Sequence, residues 1–202
     1  ILGENKVCGL TRSQDAIAAY ESGAVYGGLI FAPKSPRFVD LDCAKQVMQS
    51  APLAYVGVFV NATIADVVNH AQSLKLAAVQ LHGQEDAVYI NELRPLLPSN
   101  CQIWKAQAVK DSLPTPVNGV DRHLYDTHSD TQAGGTGKTF DWSILKETKQ
   151  PFMLAGGLNP ENIQGALYQG AHGLDLNSGV EQSAGKKCPN KLNDAFISIR
   201  KY

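Results

Sequence analysis

The chain predicts an α/β fold, a closed (β/α)8 barrel of the TIM type with an irregular or missing fifth helix. Three observations point there. Short apolar runs alternate with longer amphipathic segments, which is the pattern of a parallel sheet wrapped by helices. The alternation repeats eight times in 202 residues, near the lower size limit of such a barrel. Polar residues and glycines gather where the apolar runs end, and in a barrel those ends form one face. A doubly wound open sheet is the competing architecture, but no G-x-G-x-x-G joins a strand to a helix.

The elements follow in order. KVCGL (6–10) reads as the first strand, and Ser13 can cap a helix to about Ser22. YGGLIF (26–31) is the second strand, with a helix over 41–50. AYVGVFV (54–60) is the third, with a helix over 63–73 capped by Thr63. AAVQLH (77–82) is the fourth, with a helix over 85–96, and QIWKA (102–106) is the fifth. KDSLPTPVNG (110–119) then carries two prolines and a glycine, so no regular fifth helix is expected. HLYDT (123–127) is the sixth strand, and after a glycine-rich loop FDWSILKE (140–147) suits a short helix. PFMLAGG (151–157) is the seventh, with PENIQGALYQG (160–170) as its helix and Pro160 at the first helical position. HGLDLNS (172–178) is the eighth, and KLNDAFISIRKY (191–202) closes the chain as a helix.

Composition narrows the function classes. With 44% hydrophobic and 18% charged residues the chain supports a sizeable core in one domain, residues 1–202. The formal charge of −1 argues against nucleic acid and anionic membrane as partners. The longest apolar run, near 54–60, is too short to span a bilayer, and no signal peptide is evident. The four cysteines, Cys8, Cys43, Cys101 and Cys188, form no C-x-x-C pair, which fits a reduced cytoplasmic setting without structural zinc. His70, His123, His128 and His172 have no metal-ligand spacing, so no metal site is expected.

One motif invites a nucleotide reading. AGGTGKTFDW (133–142) contains GTGKT, but a phosphate loop needs a glycine where Gln132 stands. The loop must serve another purpose.

The strand ends carry the chemistry. Gly156 and Gly157 precede a helix start, and Asp175, Asn177, Ser178 and Gly179 follow the eighth strand. Each turn alone is an ordinary turn. Together, on adjacent strands, they suit a phosphate, because backbone amides and a helix dipole favour an anion there. Cys8 ends the first strand. It is either a small buried hydrophobe or a base whose thiolate needs a cation, and Lys6, two residues earlier on the same face, either supplies that cation or pairs within the barrel. Asp126 is a carboxyl in an apolar strand. Burial would raise its pKa and suit it to act as an acid; the alternative is a hydrogen-bonded structural aspartate. Arg37, in FAPKSPR (31–37), can grip a carboxylate through two parallel hydrogen bonds or stand as an exposed loop arginine. Gln80 and His82 close the fourth strand, His82 reading equally as a ligand contact or a satisfied strand-end histidine.

Six stretches together resemble the phosphoribosylanthranilate isomerase family of tryptophan biosynthesis: KVCGLT (6–11), FAPKSPR (31–37), VQLHG (79–83), YDT with GGTGKTFDW (125–142), LAGGLNPEN (154–162) and GLDLNSGVE (173–181). The resemblance implies a (β/α)8 barrel. It implies the Amadori rearrangement of N-(5-phosphoribosyl)anthranilate to 1-(2-carboxyphenylamino)-1-deoxyribulose 5-phosphate, without cofactor. It assigns Asp126 as the general acid on the ring oxygen, Cys8 as the general base at sugar C2, Arg37 to the anthranilate carboxylate and the two turns to the phosphate. GGTGKT would then be a loop closing over the substrate. The family's P-G-x-K-D after GVE is altered: Ala184 replaces the proline and Cys188 the acid in SAGKKCPNK (183–191). The start at Ile1 resembles the family's fusion form, in which indole-3-glycerol-phosphate synthase precedes this domain. Two rivals remain. A histidine-pathway type isomerase acts on another phosphoribosyl-amine, but it would need a second AGG-type turn in the first half. A non-catalytic sugar-phosphate-binding domain of a fusion would have lost Cys8 or Asp126.

Overall fold

The structure is a computed structural model, and it describes residues 3–127 and 142–202. Eight parallel strands close a barrel: β1 (Lys6–Val7), β2 (Tyr26–Ile30), β3 (Ala54–Phe59), β4 (Ala78–Leu81), β5 (Gln102–Ala108), β6 (Arg122–Asp126), β7 (Phe152–Ala155) and β8 (Gly173–Leu176). β8 pairs with β1 in the register Lys6↔Asp175 and Val7↔Leu176, which completes the ring. The closed barrel, not the open sheet, is the outcome.

The helices are α1 (Ser13–Ser22), α2 (Leu41–Ser50), α3 (Ile64–Leu74), α4 (Ala87–Leu93), α5 (Ile163–Leu167) and α6 (Pro189–Arg200). Their starts are chemically explicit. Asp40 accepts from the Cys43 amide at 2.8 Å, Thr63 from the Asp66 amide at 3.2 Å and Asp86 from the Tyr89 amide at 3.0 Å. Such caps each contribute about 1 kcal/mol. Residues 109–121 between β5 and β6 form bends and turns without a helix.

Three expected helix starts shift. Ser13 is the first residue of α1, and the cap position falls to Arg12, whose side chain is drawn to Asp15 instead. Pro160 lies ahead of α5, which starts at Ile163. Asn159 Oδ1 accepts from the amides of Glu161 and Asn162, and Asn162 Oδ1 accepts from the Asn159 amide. That side-chain turn satisfies the amides that a first helical turn would leave open. The last helix begins early, with Pro189 in its first turn. Trp142–Glu147 is a 3₁₀ helix. A short antiparallel pair, β9 (Glu181–Ser183) and β10 (Lys186–Lys187), was not anticipated.

Two layers of core result. Outside the barrel, leucine, valine, isoleucine and alanine from strands and helices interlock, with Val7, Leu29, Leu81, Ile103, Leu154 and Leu176 fully or nearly fully buried. Inside, Val56, Ala78, Trp104, Ala106, Leu124, Met153 and Ala155 fill the barrel, and the Arg122 guanidinium lies 4.7 Å from the centre of the Trp104 ring. The filled interior leaves the opposite end, where the strands finish, as the place for a ligand.

Candidate active site

At the C-terminal ends of the strands lies a cavity of about 470 Å³. Cys8, Arg37, Gln80, His82, Asp126, Gly156, Gly157, Asp175, Asn177, Ser178 and Gly179 all line it. Every candidate drawn from the sequence therefore meets in one place.

Cys8 continues β1: its amide donates to the Leu176 carbonyl at 2.8 Å, and its side chain lies with Ile30 and Val58, an apolar floor. Room for it comes from β2. A Cβ on Gly28 would stand 2.7 Å from Cys8 Sγ and 2.9 Å from Lys6 Cε. The second glycine of YGGLI thus makes space for the sulfur, a role the sequence reading missed. Cys8 is 5% exposed. Burial pushes its thiol above the ordinary range; the nearby charges of Lys6 and Lys187 pull the other way and are outweighed.

Lys6 is fully buried and pairs within the barrel. Its Nζ donates to Gln80 Oε1 at 2.8 Å and to Asp175 Oδ2 at 2.9 Å. Burial alone would lower Lys6, but Asp175 and Cys8 together outweigh it and raise the ammonium above its ordinary range. Gln80 reaches onward: its Nε2 lies 3.2 Å from His82 Nδ1. His82 Nε2 lies 3.3 Å from Asp126 Oδ2. The Asp126 side chain is 22% exposed and lines the cavity beside this imidazole.

Arg37 is held from behind. Its Nε and Nη2 donate to Glu181 Oε1 at 2.9 Å and Oε2 at 2.7 Å. Lys187 Nζ donates to the same Glu181 Oε1 at 2.8 Å and to Asn177 Oδ1 at 2.9 Å. Burial alone would raise Glu181, yet these two cations hold its carboxyl below the usual range. Donating to Glu181 likewise raises Arg37 further. Both Glu181 and Lys187 belong to the unanticipated β9–β10 pair. In the sequence Glu181 stood as the last residue of GLDLNSGVE and Lys187 in the altered segment after it, and neither was given a role.

The glycine turns sit at the far side. Gly156 and Gly157 have φ of 99° and 64°, values open to glycine with little strain. A Cβ on Gly179 would fall 1.9 Å from the Leu158 carbonyl oxygen, so only glycine lets the β8 turn approach the β7 turn this closely. α5 is five residues long and starts six residues after Gly157, so the expected dipole contributes less than the turn amides. Among the described residues no cluster of histidine, cysteine, aspartate or glutamate could hold a metal. No helix among them is long and apolar enough to cross a membrane. The GGTGKT loop (134–139) lies outside the described residues.

The barrel as a whole is similar to known proteins. The chain matches the family model described as N-(5'phosphoribosyl)anthranilate (PRA) isomerase over residues 5–197. It is 51% identical over 203 residues to the tryptophan biosynthesis protein TrpCF of Vibrio cholerae, covering 100% of this chain and 43% of that protein. The chain thus spans less than half the length of the curated relatives it matches. It superposes on phosphoribosyl anthranilate isomerase from Thermotoga maritima with a TM-score of 0.85 at 30% identity, over 98% of this chain and 99% of that one. It superposes with a TM-score of 0.80 at 27% identity, over 98% and 99% of the two chains, on a phosphoribosyl anthranilate isomerase in complex with reduced 1-(O-carboxyphenylamino)-1-deoxyribulose 5-phosphate.

Proposed function

We propose that this chain, which belongs to the N-(5'-phosphoribosyl)anthranilate isomerase family, catalyses the Amadori rearrangement of N-(5-phosphoribosyl)anthranilate to 1-(2-carboxyphenylamino)-1-deoxyribulose 5-phosphate, a step of tryptophan biosynthesis. The observation that carries this reading is that Cys8 and Asp126 border one cavity with the paired glycine turns beside them.

The substrate has an anion at each end. In our reading the phosphate binds at Gly156, Gly157, Ser178 and Gly179, where closely approaching turns can offer amides. The anthranilate carboxylate binds Arg37. Glu181 occupies Nε and one Nη2 hydrogen, so the Nη1 side of the guanidinium remains to form two parallel bonds with a carboxylate. Asp126 protonates the furanose ring oxygen, and the ring opens to a protonated imine at C1. Cys8, as thiolate, removes the proton from C2. The C2–H electron pair forms a C1=C2 bond and the C1=N pair returns to nitrogen, giving an enol-amine; C1 then takes up a proton as the enol oxygen releases one, which leaves the ketone at C2. C2 is oxidised and C1 reduced within one molecule, so no external redox partner is needed.

The relatives' extra length supports a further part of the reading: residues 1–202 form the isomerase barrel of a longer protein that also carries indole-3-glycerol-phosphate synthase. Four free cysteines accord with a reduced cytoplasmic setting. The mass of the intact gene product tests the fusion.

The activity is tested by following loss of anthranilate-type fluorescence on adding phosphoribosylanthranilate. Cys8→Ala and Asp126→Asn should each lower kcat by at least about 10²-fold, the lower end of general acid–base contributions. Near-normal turnover in either variant removes that residue from the mechanism.

A further inference from the structure

Five polar side chains form a continuous line across the barrel mouth: Asp175 on β8, Lys6 on β1, Gln80 on β4, His82 just after β4 and Asp126 on β6. We propose that Lys6 and Gln80 are positioning residues that fix His82 as the neutral Nε2–H tautomer and aim that proton at Asp126. The inference rests on the reading of Asp126 as the acid.

The direction of every bond follows from donor chemistry. A lysine ammonium only donates, so the Gln80 atom 2.8 Å from Lys6 Nζ must be the carbonyl oxygen. The Gln80 NH2 group therefore faces His82 Nδ1 at 3.2 Å. A protonated Nδ1 would set donor against donor. Nδ1 must accept, and the ring proton goes to Nε2, which faces Asp126 Oδ2 at 3.3 Å.

The consequence concerns the acid. An imidazolium beside a carboxyl favours its ionised form and would strip it of the proton it must deliver. A neutral N–H orients the carboxyl without that full charge. The strong charge in the line, Lys6, is matched by Asp175 at the far end, and the uncharged amide of Gln80 separates it from His82. Orientation passes along the line while charge stays behind. Besides Asp126, the charged residues that line the adjoining cavity with His82 are Lys105 and Glu85, which pair with each other at 3.0 Å, and Asp86. Gln80, 1% exposed, is too enclosed to be explained as a solvent-facing polar residue.

The test is long-range ¹⁵N–¹H NMR of the ¹⁵N-histidine-labelled chain near neutral pH without substrate, so the result does not depend on the reaction assignment. The unsubstituted protein should show His82 protonated at Nε2 only. In Gln80→Glu the residue offers only acceptors, and the proton should appear on Nδ1, alone or in a doubly protonated ring. In Gln80→Met the preference should weaken to a mixture. The kcat of Gln80→Glu should fall at least about tenfold, within the range of general acid–base contributions, with KM changed far less. A His82 protonated at Nδ1 in the unsubstituted protein overturns the proposal, as does an unchanged tautomer in a folded Gln80→Glu or Gln80→Met. If Gln80→Glu does not fold, the unsubstituted spectrum and Gln80→Met decide. A correct tautomer response in a protein that does not turn over phosphoribosylanthranilate would instead sink the reaction and leave the positioning line standing.

Discussion

Cys8 concentrates the chemical problem in one side chain. A base must be deprotonated to act, and burial pushes this thiol up. The cation suggested by the sequence, Lys6, is adjacent, but its first commitments are to Asp175 and Gln80. Its attraction, with that of Lys187, lowers the cost of the thiolate without overcoming desolvation. The working form is then the minority form near neutral pH, and its fraction grows as pH rises toward the raised value. We therefore expect the thiolate of Cys8, followed as the part of the iodoacetamide-labelling rate that is lost in Cys8→Ala, to keep growing with pH beyond the ordinary range of a free cysteine. Turnover reports it less directly, because Asp126 must hold its proton while Cys8 loses one. A labelling rate that has already levelled off near about pH 7 would mean an ionised thiol and contradict the burial effect.

Single elements show what a residue-by-residue reading loses. The cap at Thr63 and the broken segment 109–121 were legible because each depends on a few neighbouring residues. The start of α5 was not, because Asn159 and Asn162 satisfy each other's amides and remove the reason for a helix to begin at Pro160. The β9–β10 pair was not legible either, since EQSAGKK alternates no apolar residues and is tied to Arg37 and Asp15, far away in the chain, as well as by its own Lys187–Glu181 pair. That pair supplies the clamp on Arg37. If Glu181 serves to orient the guanidinium, the two residues act as a unit and their effects do not add. Arg37→Ala should raise KM with little change in kcat. Glu181→Ala should raise it in the same direction, and the double variant should be no worse than Arg37→Ala alone. A fully additive double variant, measured by the same turnover assay, would separate Glu181 from substrate binding.

At the scale of the whole molecule, closing the ring brings together residues 169 apart in sequence, Lys6 and Asp175, and this is why strand ends could be read but their partners could not. The same closure buries charge. Glu85 and Lys105 pair at 3.0 Å with side chains 2% and 4% exposed, and Glu85 also accepts from the amides of Asn61 and Gly83. Burial alone would raise Glu85, but Lys105 and the backbone amides of Glu85 and Asn61 outweigh it and hold the carboxyl below its ordinary 4.5. Glu181 is depressed in the same way. A carboxyl lowered in the folded state binds its proton more weakly there than in the unfolded chain. Its stabilisation is therefore complete above the unfolded value and is lost as pH falls through the folded one. Denaturant unfolding at a series of pH values should show stability falling from about pH 4.5 downward. Glu85→Gln should cost about 3 kcal/mol near neutral pH, the lower end for breaking a buried pair, because Lys105 keeps its bond to the Gly83 carbonyl at 2.7 Å. That cost should shrink in acid, where the unsubstituted Glu85 also becomes neutral, so the two stability curves converge. Curves that stay parallel down to the acid transition would show that the charge on Glu85 contributes nothing to holding the β4 and β5 ends together.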